Sequence, residues 1–330
     1  MTNSSEYEDS SSSAGKEVFI PGKHQNAEEL VCDYDAYEFI EDISLEWPAQ
    51  SFSYISENIL AVGLNADLKE KSSLIILNVE DVENFKMEGK IDSLDLNRLK
   101  FSEKFLFGVG DDVLARIDSD LAQKSIKEEF GYGFDVSPDF VAASDLQGNL
   151  KIYDRNLKIL KKIKLHEKEI NSIKIEKDFI FTGSNDSYLK CYDIKEEKII
   201  FEKKFCSDIN SIDLNCDKDC LLVGEDNGSL HLINLESENK DSELISWHKS
   251  PISCVRFSES DPDIFYSCST EQVCVWDKSF DDEWEYHKYL SFTHMGDDEY
   301  KQIEERKGLI SVTGRRGICF FKPLEVEPEN

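Results

Sequence analysis

The chain has 330 residues, 40% hydrophobic and 11% aromatic, enough to bury a core in one large β architecture or in two average domains. Its 68 acidic against 38 basic residues leave a formal charge of −30, a field that repels nucleic-acid phosphates and attracts cationic partners. No run of eighteen apolar residues occurs, and the opening MTNSSEYEDSSSSAG lacks the basic and apolar regions of a secretory signal. We therefore expect no membrane contact, no direct nucleic-acid binding and a nuclear or cytosolic site.

The nine cysteines are then expected to be reduced. None forms a C-x-x-C pair, and the closest spacing, Cys216 to Cys220, has no nearby His, so no metal and no other cofactor is expected. Cys191, Cys254, Cys274 and Cys319 fall in β-branched and aromatic runs, where cysteine packs as a small core residue.

In chain order, residues 1–27 read as an acidic, Ser-rich tail and extended segment. It serves mainly as a solubilising arm, although its serines beside carboxylates also suit acid-directed kinases. Residues 28–44 read as a helical region. Asp33 would cap a helix running to Ile43, with Ala36, Phe39, Ile40 and Ile43 on an apolar face docked against the rest of the protein. Asp35, Glu38, Glu41 and Asp42 would stay outward or at the margins.

From residue 45 to 330 the pattern changes to short strands that repeat. FVAASDLQGNLKIYD ends at Asp154, FIFTGSNDSYLKCYD at Asp193, LLVGEDNGSLHLIN at Asn234 and IFYSCSTEQVCVWD at Asp277. FLFGVGDDVLARID ends at Asp118 in the same style, and weaker copies end at Asn78 and Lys322. The seven end points lie 36 to 45 residues apart. Each unit holds an apolar run, a tight polar turn and an alternating run, preceded by another alternating strand such as INSIKI or ISCVRF. Seven such units predict an all-β, seven-bladed WD-type propeller with the N-terminal helix packed on its side. AQSFSYI, 49–55, is expected to supply the outer strand of the last blade and close the ring, or else to open the first blade.

One stretch, 166–193, contains His166, Ser184 and Asp186 and so poses the question of a hydrolase triad. The repeat explains the same residues as a structural network, in which His166, Thr182, Asp186 and Tyr192 satisfy one another inside a blade. In the unit ending at Asp277, His248, Ser267 and Trp276 stand at the matching places, with Thr270 and Glu271 in the turn. Gln147 and Asn227 stand at the Asp place in other units. Ser184 has no nucleophile elbow, and no Walker loop, dinucleotide fingerprint or H-E-x-x-H is present, so no enzyme is expected.

VFIPG at 18–22, EELVCDYDAYEFI at 28–40, LEWPAQSF at 45–52 and YLSFTHMG at 289–296 resemble the glutamate-rich WD-repeat family of Rrb-type ribosome-biogenesis chaperones. The chain looks like a shortened member, since the family's long glutamate run is missing. The helix followed by EWP is similar also to histone-binding WD-repeat chaperones. The resemblance implies a non-enzymatic, monomeric chaperone that binds the basic ribosomal protein L-three before it joins pre-60S particles, working with pre-60S assembly factors. It implies a nuclear and nucleolar site with a cytoplasmic pool. The alternatives are a histone chaperone, or a general scaffold in a chromatin or ubiquitin-ligase complex. In the histone-binding relatives the helix and an acidic loop hold the client together. Here that comparison points to Asp281, Asp282, Glu283, Trp284 and Glu285 in the loop 278–289, facing Glu38, Glu41 and Asp42.

Overall fold

A computed structural model describes residues 34–66, 71–279 and 288–324. The chain divides into Met1–Val31 and Cys32–Asn330, and everything described lies in the second unit. Among the described residues, 28 strands form seven four-stranded antiparallel sheets, the blades of a seven-bladed propeller. The inner strands, in chain order, are Ala49–Tyr54, Arg98–Ser102, Phe134–Val136, Ile170–Glu176, Ile209–Leu214, Ile252–Phe257 and Gln302–Arg306. They begin blades one to seven.

Position in the blade dictates composition. The second strands are apolar on both faces, as in Ile59–Leu64 and Cys220–Glu225, because each is covered by the neighbouring blades. The outer strands alternate, as in Ile159–Lys164 and Lys198–Lys204, with one side turned to solvent. The core therefore lies between blades. Leu222 and Leu230 of blade five pack with Val255, Phe265 and Trp276 of blade six, for example. Cys191, Cys254, Cys274 and Cys319 are buried in such seams.

The Asp or Asn at the end of the third strand of blades one, three, four, five and six has a local cause. Its side-chain oxygen accepts backbone amides two to four residues on, turning the chain into the outer strand. Asp154 Oδ1 takes the Asn156 and Lys158 amides at 2.9 and 2.8 Å. Asn234 Oδ1 takes Glu236 and Ser237 at 2.8 and 3.2 Å. Asp277 Oδ1 takes Ser279 at 2.8 Å.

The hairpin before the third strand of blade five needs glycine where it runs under the loop that follows the outer strand. Gly228 has a φ of 86°, and a Cβ there would lie 2.5 Å from the His248 carbonyl oxygen. Gly228→Ala is expected to cost about 1–3 kcal/mol in unfolding free energy from its backbone conformation alone. An unchanged denaturant midpoint would contradict the tight approach.

Two expectations about the front of the chain are corrected. No helix forms over 33–43: Asp33 lies outside the described residues, Tyr34–Ala36 is one 3-10 turn, and Tyr37–Ser44 is a strand. That strand, rather than AQSFSYI, is the outer strand of blade seven, paired antiparallel with Gly317–Pro323 from Tyr37 against Pro323 to Ser44 against Gly317. AQSFSYI instead opens blade one as its inner strand, Ala49–Tyr54. The misreading has a physical reason. A bulge between Tyr37 and Phe39 breaks the two-residue alternation. Both faces of the strand are also used: Tyr37 and Ile40 pack toward blade six, while Ile43 and Leu45 pack toward blade one. Apolar residues at 37, 40 and 43 then imitate helical spacing.

Candidate functional site

The histidine clusters come first, because they decide whether the chain carries a catalytic relay. His166 Nδ1 lies 3.0 Å from both carboxylate oxygens of Asp186, and its Nε2 lies 2.8 Å from Thr182 Oγ1. Asp186 also accepts the Glu167 and Tyr188 amides at 2.9 and 3.0 Å. Burial lowers the His166 pKa, with Asp186 acting against it. Burial pushes Asp186 up, but those amides and His166 outweigh it and hold the carboxyl below its ordinary value. Ser184 turns away: its buried hydroxyl donates to the Lys168 carbonyl at 3.4 Å and accepts the Asp186 amide. His166, Ser184 and Asp186 therefore do not line up as base, nucleophile and orienting acid. Tyr192 is buried at the expected place, but its ring sits under the Lys161 ammonium, 5.7 Å away, rather than on Thr182.

In blade six, His248 Nε2 meets Ser267 Oγ at 2.7 Å, and the Trp276 indole donates to the same oxygen at 2.8 Å. The third partner is neither Thr270 nor Glu271 but Gln272, whose Nε2 lies 3.2 Å from His248 Nδ1. With no acid in contact, burial drives the His248 pKa down to about 3. Blades three and five replace the histidine network with a buried acid two residues before Gln147 and Asn227. Asp145 accepts from Asn149 and pairs with Lys162 at 3.0 Å. Glu225 takes the Cys206 and Ser207 amides and meets His231 Nε2 at 3.0 Å.

The channel shows an arrangement that the sequence reading missed. Ser53, Lys100, Asp135, Lys174, Asp213, Arg256 and Glu304 share one register position on the seven inner strands. From Lys100 onward their charges alternate in sign around a cavity of about 550 Å³. Lys100 pairs with Asp135, and Lys174 with Asp213. The acids also stitch blades together: Asp135 accepts the Ile175 amide and Asp213 the Phe257 amide, both at 2.8 Å. Ser53 does the same for the Phe101 amide at 2.9 Å, and Gln302 brackets Phe52 across the seam that closes the ring. A polar residue recurring at the centre of each first strand was the signal, visible only once the seven strands are aligned.

Glu304 is the least compensated member. Burial pushes its carboxyl up to about 7, with Arg256 and Arg306 opposing. An acid whose folded pKa is raised stabilises the fold at low pH and loses that contribution as pH rises from about 4.5 through 7. Glu304→Gln is expected to be more stable than the parent by about 3 kcal/mol at pH 8, with the difference vanishing at about pH 4. Denaturant melts of both proteins at the two pH values measure it, and a pH-independent difference would contradict it.

The flank read from the sequence is described only in part. Asp281, Asp282, Glu283, Trp284 and Glu285 lie outside the described residues. Glu38 is exposed and ion-paired with Lys322 at 2.6 Å, Glu41 is half-buried, and Asp42 is exposed. These acids sit on the closing strand rather than on a helix. That strand touches the outer strand of blade six, Leu290–His294, directly: the Tyr37 hydroxyl lies 2.9 Å from His294 Nδ1, and its ring lies 5.1 Å from Phe292.

Residues 241–277 match the family described as WD domain, G-beta repeat. The match runs from the outer strand of blade five to Asp277 at the end of the third strand of blade six. Together with the seven-bladed ring it supports a WD-repeat protein, and such a propeller suggests a protein-interaction scaffold, a class that is typically non-enzymatic. No curated protein matches the chain.

Proposed function

We propose that this protein is an acidic, non-enzymatic chaperone that shields a strongly basic client, the ribosomal protein L-three, before its entry into pre-60S particles in the nucleolus. The observation that carries the reading is the charge of −30 on a propeller of the interaction class. It is supported by the family-like segments at 18–22, 28–40 and 45–52. Of these, LEWPAQSF forms the passage from the closing strand into blade one, with Leu45 and Trp47 packed on the core there. The client would meet Asp281, Asp282, Glu283, Trp284 and Glu285, together with Glu38, Glu41 and Asp42 of the closing strand. Glu46-Trp47-Pro48 favours histones as the second client.

Titrations of the purified protein with L-three and with histones, at low and high salt, test this. L-three is expected to bind more tightly, weakening at least about tenfold as salt screens the contact. Replacing Asp281, Asp282, Glu283 and Glu285 by Ser should weaken it further without lowering Tm. Tighter histone binding would promote the second client, and binding of neither would end the chaperone reading.

A further inference from the structure

Blade six carries two thiols side by side at the channel wall. Cys254 on the inner strand Ile252–Phe257 and Cys268 on the second strand Ile264–Ser269 are direct cross-strand partners. Side chains of such partners share one face of the sheet, and their Cα atoms lie about 4.5–5.5 Å apart. A disulfide spans about 4.4–6.8 Å between Cα atoms, so the spacing suits a bond between them. The two differ in access. Cys268 is fully buried, whereas Cys254 lines the channel cavity of about 550 Å³.

Their surroundings divide the work between them. Arg98 from blade two and Arg256 from blade six line the same cavity as Cys254. The Cys268 thiol donates to the Cys254 sulfur and, against burial, Arg256, the Ile303 amide and Arg98 add to it, holding the Cys254 thiol below its ordinary pKa. Burial drives Cys268 the other way, and the neighbouring Cys254 adds to the rise. Burial opposes the charge on Arg256 too, but Cys254, Asp213, Glu304 and Asp135 outweigh it. Burial pushes Cys191, Cys220 and Cys274 up, with no arginine beside them to reverse it. The other polar atoms at the pair are the Val255 carbonyl, 3.8 Å from Cys254 Sγ, and the Ser253 hydroxyl, 3.3 Å from Cys268 Sγ.

We propose that Cys254 and Cys268 are a reversible oxidation site for a hydroperoxide, with Cys254 as the attacking sulfur and Cys268 as the resolving one. In the first step the Cys254 thiolate attacks one peroxide oxygen. The S–O bond forms, the O–O bond breaks, sulfur gives up an electron pair, and hydroxide leaves a sulfenic acid behind. In the second step the Cys268 sulfur attacks Cys254 Sγ. The S–O bond breaks, the displaced hydroxide takes the Cys268 proton, and water leaves the disulfide behind. Ser253 can donate to the Cys268 sulfur as that proton departs. Hydrogen peroxide is small and uncharged, so the channel admits it and the −30 field does not repel it. A thiol reductant returns the pair to its resting form. The site is independent of the client reading, and either can fail alone.

Trypsin cuts after Arg256 and so parts Cys254, in peptide 250–256, from Cys268, in peptide 257–278. The native full chain is treated with hydrogen peroxide, its remaining thiols are alkylated, and the unreduced digest is read by mass spectrometry. The two peptides are expected to run joined and to part after dithiothreitol. Cys274 shares the longer peptide, so fragment ions must place the bond at Cys268. Cys268→Ala should instead hold Cys254 as a sulfenic acid that dimedone traps. Arg98→Gln should slow the oxidation at least about tenfold, as the thiolate fraction falls. The parent needs no substitution, so a poorly folded variant leaves the main result standing. Oxidation of the exposed Cys206 with Cys254 and Cys268 still free, or a bond from Cys254 to another cysteine, would overturn the site.

Discussion

A chain lacking residues 1–44 is expected to lose cooperative unfolding. Among the described residues, Tyr37–Ser44 is the strand that pairs the front of the chain in one sheet with its far end, and without it blade seven ends in an open edge at Gly317–Pro323. The loss is not confined to ladder hydrogen bonds. Ile43 is fully buried with Ile318 and Phe320 on one side, and Tyr37 and Ile40 cover Phe321 and Phe292 on the other. Removing several such side chains at about 2–5 kcal/mol each is comparable with the whole stability of a typical domain, about 5–15 kcal/mol. The exposed edge would also template association between chains. Thermal melts followed by circular dichroism, with size-exclusion chromatography, measure this. A truncated monomer melting within about 2 °C of the parent would refute closure by this strand. Ile43→Ala isolates the packing share, expected to be about 2–5 kcal/mol with the ladder intact.

The repeat was legible because one chemical need recurs. Blades one to six turn directly from the third strand into the outer strand, and an Asp or Asn accepting the next amides is a cheap way to do so, as Asp154, Asn234 and Asp277 show. The closing strand was not legible as a strand, because its bulge and its two buried faces give the three- and four-residue spacing of a helix. Only the unfilled edge of blade seven decides between the two. His166 and His248 were placed by pattern, but Gln272 was not. The turn of blade six offered Glu271 as the expected acid, and the side chain that reaches His248 comes from one residue further on. In blades three and five the acid moved in the other direction, to Asp145 and Glu225. The channel escaped because Lys100, Lys174 or Arg256 alone looks like an ordinary exposed position of an alternating strand. Only the ring brings opposite charges side by side.

Lowering the pH should weaken the fold through His248, and replacing that residue should flatten the response. Its ring is buried against Ser267, Gln272 and Trp276, with no carboxylate in contact to stabilise the charged form. The folded-state pKa is therefore about 3, against an ordinary 6.5. Because the folded pKa is depressed, the unfolded chain takes up a proton below pH 6.5 that the folded chain refuses until about 3. The contribution is complete above pH 6.5 and is lost progressively as the pH falls through that window. The slope is about 1.4 kcal/mol per pH unit, which makes about 2 kcal/mol between pH 6.5 and 5. Burial drives His294 down to about 4, adding in the same direction, while Glu304 acts in the opposite one, so the parent's total pH dependence is a mixture. The difference between the parent and His248→Gln removes the shared terms. The glutamine can still donate to Ser267, and whatever constant cost it carries does not enter the slope. Urea midpoints of the two proteins between pH 5 and 6.5 are expected to converge as the pH falls, by about the free energy of one proton's slope. Parallel curves over that range would mean that His248 is protonated inside the blade, and that its network is held by charge rather than by a neutral ring.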